Sequence, residues 1–100
     1  MFDKFLTKDQ LFQNLSDLIG KAISESDPKD PTMNPAWRQS VKKAWDVANV
    51  LELDFISDLL WEVYKLHGNG VSLRMNAQAF LRVVKREINE LKNEARQIGR

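Results

Sequence analysis

Residues 77–98 read Ala-Gln-Ala-Phe-Leu-Arg-Val-Val-Lys-Arg-Glu-Ile-Asn-Glu-Leu-Lys-Asn-Glu-Ala-Arg-Gln-Ile. Within this stretch Ala77, Leu81, Val84, Ile88, Leu91, Ala95 and Ile98 fall four, three, four, three, four and three residues apart. That spacing keeps one apolar seam on one side of a long helix, and the seam must be covered by something. Phe80 and Val83 widen the apolar face early, whereas after Glu87 only the narrow stripe remains. A wide face suits a globular core and a narrow one suits a helical partner. From Glu87 onward the seam is therefore the part expected to be free.

Working back along the chain, three shorter helices precede it. Thr7-Lys8-Asp9-Gln10 has the form of a capping box, and a helical period through Leu11, Phe12, Leu15, Leu18, Ile19, Ala22 and Ile23 follows. Residues 25–34 form a linker containing Pro28 and Pro31, each without a backbone donor. Asn34-Pro35 then reads as an N-cap followed by the favoured first helical residue. Helix two presents Trp37, Val41, Ala44, Trp45, Ala48 and Leu51 on one face. The pattern changes phase near Leu53, so a short joint is expected, with Asp54 capping helix three; a bent continuous helix is the alternative. Helix three carries Phe55, Ile56, Leu59, Leu60, Val63 and Leu66 and stops at His67-Gly68-Asn69-Gly70. Ser72 or Asn76 begins helix four.

The predicted architecture is a single all-α domain, a small four-helix bundle with a long C-terminal helix that overhangs it. The predicted helices are about 8–24, 35–51, 54–67 and 73–98. At 1.5 Å per residue the last spans roughly 40 Å against roughly 20–25 Å for the others. About 15 Å of its C-terminal end should project on that basis.

Composition is that of an ordinary globular protein, 43% hydrophobic and 29% charged, with no cysteine. Disulfide and thiol chemistry are thus excluded. No signal-peptide-like or membrane-spanning apolar run is visible, so a cytoplasmic setting with no membrane contact is expected. The net charge of +1 is uneven: residues 68–100 hold seven basic and three acidic side chains, a local balance of +4.

No catalytic constellation emerges. The lone His67 sits at a helix C-terminus, where a protonated imidazole favours the dipole. Gly68-Asn69-Gly70 lacks the strand and the Gly-Lys-Ser/Thr of a phosphate loop. Asp54, Asp58 and Glu62 line one side of helix three without the histidines or second carboxylate helix of a metal site, and read as a solvated acidic edge. No metal, cofactor or small-molecule substrate is expected.

Two surfaces stand out instead. Trp61 points nearly opposite the core side of helix three, and with Ser57 and Tyr64 forms a candidate aromatic docking patch. The second is the seam itself, Ile88, Leu91, Ala95 and Ile98 flanked by Glu87 and Lys92. In a parallel self-pair Glu87 at g reaches the partner copy's e position, occupied by Lys92, so this is the homodimer the charges favour. The expected function is a non-enzymatic protein–protein interaction module, an adaptor, inhibitor or assembly factor. The alternative is a nucleic-acid-binding accessory protein using the basic flank of helix four, Arg82, Lys85, Arg86, Lys92 and Arg96.

Overall fold

The computed structural model describes residues 7–29, 36–66 and 70–98, with side chains as far as residue 94. Four helices follow one another: α1 (Lys8–Glu25), α2 (Ala36–Val50), α3 (Asp54–Tyr64) and α4 (Val71–Ile98). The chain is an all-α helical bundle with a long C-terminal helix, as the periodicity predicts. The Asn34-Pro35 cap and His67-Gly68-Asn69 lie outside the described residues.

Each helix packs on its neighbours in sequence, and α4 closes the ring against α1. The α1/α3 and α2/α4 pairs are the uncontacted diagonals. The three-residue joint between α2 and α3 makes those two antiparallel neighbours. Polar bonds fix the α1–α4 register: Gln78 Nε2 donates to the Ile23 carbonyl at 3.0 Å, and Lys92 Nζ donates to Gln13 Oε1 at 3.1 Å. At the far end Ser40 Oγ donates to Glu25 Oε1 at 2.6 Å, joining the end of α1 to the start of α2. The enclosed core holds Leu15, Ile19, Trp37, Val41, Val47, Ile56, Leu60, Val63, Leu81, Val84 and Ile88.

The start of α1 follows from its local sequence. Thr7 Oγ1 accepts from the Gln10 N–H at 3.2 Å, and Gln10 Oε1 accepts from the Thr7 N–H at 2.8 Å. Both halves of the capping box are therefore made.

The α2–α3 joint differs from the sequence expectation. Asp54 is the first residue of α3, and the N-cap is Leu53, which makes no side-chain cap bond. The turn is made by the end of α2. The Leu53 N–H donates to Ala48 O at 2.9 Å and the Glu52 N–H to Asn49 O at 3.1 Å, the paired bonds of a Schellman motif. That motif needs a left-handed residue, and Glu52 supplies it with φ 59°. A non-glycine residue there costs about 1–2 kcal/mol. Glu52→Gly is accordingly expected to gain about 0.5–1 kcal/mol, measured by urea unfolding, the added freedom of the unfolded chain offsetting part of the relief. A loss of stability on that substitution would mean that the Glu52 side chain supports the turn.

Two boundaries also move. α3 ends at Tyr64, before the predicted stop at 67, and α4 opens at Val71. With 28 residues α4 is about 42 Å long, against a longest molecular extent of 45 Å. It passes beyond α3, whose first turn lies beside Glu87 and Leu91. On its other side α4 still has company, because Gln13 of α1 holds Lys92.

Candidate functional site

The two expected surfaces are rearranged by tertiary packing. The seam is engaged within the chain further than its narrowing pattern predicts. Ile88 is fully buried, Leu91 is partly buried against the core, and Lys92 is bonded to α1. Ile88 therefore faces the core, not a partner, because α1 runs antiparallel beside α4 and covers the stripe. The side chains of Ala95 and Ile98 lie outside those described.

The aromatic patch gains one member and loses another. Ser57 is buried, and its hydroxyl donates to Asn49 Oδ1 at 2.7 Å, tying α3 to α2. In its place stands Trp45 of α2, whose ring centroid is 5.4 Å from that of Trp61; Trp61 is 5.6 Å from Tyr64. Two cations close the row. Arg38 lies 4.8 Å over the Tyr64 ring and Lys42 4.6 Å over the Trp45 ring. Arg38 Nη2 also donates to the Tyr64 carbonyl at 2.7 Å, satisfying an orphan acceptor at the end of α3. Lys42 is further paired with Asp46 at 3.0 Å. The row is thus a latch between α2 and α3 with Trp61, 41% exposed, on its outer side. Spacing on one helix reveals Trp61 and Tyr64. Trp45 and Arg38 join them only through the α2–α3 packing, which the sequence does not display.

The basic flank is not a continuous stripe. Arg74, on the same side of α4 by spacing, is fully buried, with Nη2 donating to the Asp27 carbonyl. Lys85 reaches across Gly20, its ammonium 3.6 Å from where a Cβ would stand there. Lys92 is held by Gln13. Arg82 and Arg86 remain exposed, and the side chain of Arg96 lies outside those described.

A third surface lies between α3 and α4. Phe80 and Val83, read from the sequence as part of the core face, are 45% and 38% exposed. Phe55 at the start of α3 is 61% exposed. At about 100° per residue, Phe55 and Leu59 lie on the edge of α3 nearest α4, and Leu73, Phe80 and Leu91 on the facing edge of α4. The groove deepens at one end into a hollow of about 250 Å³ lined by Leu53, Asp54, Phe55, Ile56, Glu87 and Leu91. What signal existed was Phe55 and Phe80 lying off the centre of their helices' apolar faces.

Among the described residues no three His, Cys, Asp or Glu side chains come together as a metal site, and no helix is long and apolar enough to cross a membrane. A scan of family models and searches of curated proteins and solved structures find no match to this chain.

Proposed function

We propose that this domain works without catalysis, by docking a protein partner on the helical surfaces around α3. The observation that carries the reading is the amount of large apolar surface left uncovered on a small bundle. Phe55, Phe80 and Val83 are exposed along the α3–α4 side, although the core beside them is closed. Single exposed apolar residues are ordinary, whereas a contiguous set marks an interaction face. Phe55 and Phe80 border one groove, and Trp61 stands on the opposite side of α3 with Trp45 and Tyr64 behind it. Half-exposed aromatics held rigid by neighbours make good interface anchors, because little side-chain entropy is lost on binding.

The test uses the tagged full chain expressed in its native host, with Phe80→Asp and Trp61→Asp as separate variants. Co-purified proteins are compared by quantitative mass spectrometry, and each variant is checked for unaltered helicity. A partner lost at least tenfold from one variant is the expected result, equal to about 1.4 kcal/mol or more at that face. A recovered set unchanged by either substitution would sink the reading.

A further inference from the structure

The α3–α4 groove carries a charge pattern that says what kind of partner fits it. Its floor and walls are apolar: Leu59 and Leu91 half-buried, Phe55 and Phe80 exposed. Its rims are acidic. Asp54 and Glu62 stand on α3, and Glu87 and Glu94 on the flank of α4 away from its basic side chains, with Glu90 beside Arg86 at the edge of that flank. Glu62 is already paired with Lys65 at 2.9 Å, so Asp54 is the carboxylate of this rim left without a salt bridge among the described residues. The chain as a whole is +1, so this acidity is local.

The hollow at the groove's end repeats the pattern on the scale of one side chain. Leu53, Phe55, Ile56 and Leu91 give apolar walls, and the charged lining groups are Asp54 and Glu87. Asp54 is in the first turn of α3, where the positive end of the helix dipole offsets its charge. Glu87 has no such offset. An occupant with an aliphatic stem and a cationic head matches both the walls and the carboxylate, which is the form of a lysine or arginine side chain.

We infer that the groove receives an amphipathic helix from a partner protein, apolar on the face that enters and lysine- or arginine-rich on its flanks. This inference rests on the docking reading above and names its partner class. α3 has 11 residues, so the groove beside it is about 16 Å long and accepts about three helical turns. Apolar anchors at i, i+3, i+4 and i+7 would lie along Leu59, Phe80 and Phe55. Flanking cations would face Asp54 on one rim and Glu87 on the other.

The chain's own outward α4 surface, with Met75 and Ala79 beside Arg82 and Arg86, has related chemistry, so a second copy is the competing occupant. The probe is a labelled 18-residue helical peptide with leucines at those four spacings and lysines on both flanks. Two controls accompany it: a scrambled peptide of the same composition, and one with glutamate replacing lysine. Binding is read by fluorescence anisotropy and located by amide NMR shifts.

The expected result is binding of the first peptide only, with shifts centred on Phe55, Phe80 and Glu87. It should weaken about tenfold on Phe80→Asp and again on Glu87→Lys, and fall between 50 and 300 mM salt. Both positions are at the surface, so each variant should keep the parent's helicity. Equal binding of the scrambled peptide, shifts elsewhere, or no binding would overturn the inference. So would self-association of the chain that Phe80→Asp abolishes, which would assign the groove to a second copy. Loss of a native partner on Trp61→Asp but not on Phe80→Asp would leave the docking reading standing and remove this one.

Discussion

Trp37→Ala is expected to cost about 3–5 kcal/mol, enough to remove most of the stability of a domain this size. Trp37 is the largest of the fully buried side chains and sits in the first turn of α2, where that helix meets the core. Alanine there forfeits the transfer of an entire indole and leaves a cavity that a closed ring of four helices can collapse only in part. The melting temperature should fall by roughly 15–30 °C on this account. Trp61→Ala supplies the internal comparison. Its ring is partly in water and touches Trp45 and Tyr64 on one side, so about 1 kcal/mol is expected. Trp37→Phe should be much milder than Trp37→Ala. It keeps most of the volume and removes an indole N–H that has no hydrogen-bond partner among the described residues. Urea unfolding followed by circular dichroism orders the three. If Trp37→Ala proved no worse than Trp61→Ala, the packing of α2 on the core would be wrong.

These two tryptophans show where sequence reasoning works. Trp37 belongs to an apolar face whose centre must be buried, and Trp61 points away from one; both placements follow from a single helix. The Thr7–Gln10 capping box is equally local and equally legible. Reading becomes harder where the deciding contact comes from another element. Ser57 looks like a surface residue until Asn49, on α2, is brought to its hydroxyl. Phe80 and Val83 look like core because they widen an apolar arc, yet they fall on the outer edge of that arc, where α3 does not cover them. Ile88 looks free because the seam is narrow from Glu87 onward, yet α1 lies antiparallel against that stretch and buries it. The joint after α2 is legible in the phase change near Leu53, but its capping motif is not, for a different reason. Its motif ordinarily announces itself with glycine, and here the left-handed position is filled by Glu52. The groove with its acidic rims could not be seen before α3 and α4 were set side by side, although each carboxylate on it is plain in the sequence.

Arg74 is the sharpest case, and it yields the second large effect. Spacing alone assigns it to the basic flank of α4 with Arg82 and Lys85. In the fold it is fully buried, and its guanidinium donates to the Asp27 carbonyl in the turn that follows α1. The negative end of the α1 dipole lies at that turn, so a cation suits it electrostatically as well as through the hydrogen bond. Arg74→Ala removes a long packed stem and strips a donor from a half-buried carbonyl, and is expected to cost about 3–4 kcal/mol. Arg74→Met restores the stem without a charge to desolvate, and should recover more than half of that loss. Arg74→Lys keeps the charge but loses the planar fork, and should fall between the two. Because the contact is buried, the difference between parent and Arg74→Ala should change little between 0.05 and 0.5 M salt. A surface arginine in a basic stripe behaves in the opposite way, with an alanine cost near zero and a clear salt dependence. Chemical unfolding at the two salt concentrations separates the cases: a salt-sensitive effect below about 0.5 kcal/mol would return Arg74 to the surface.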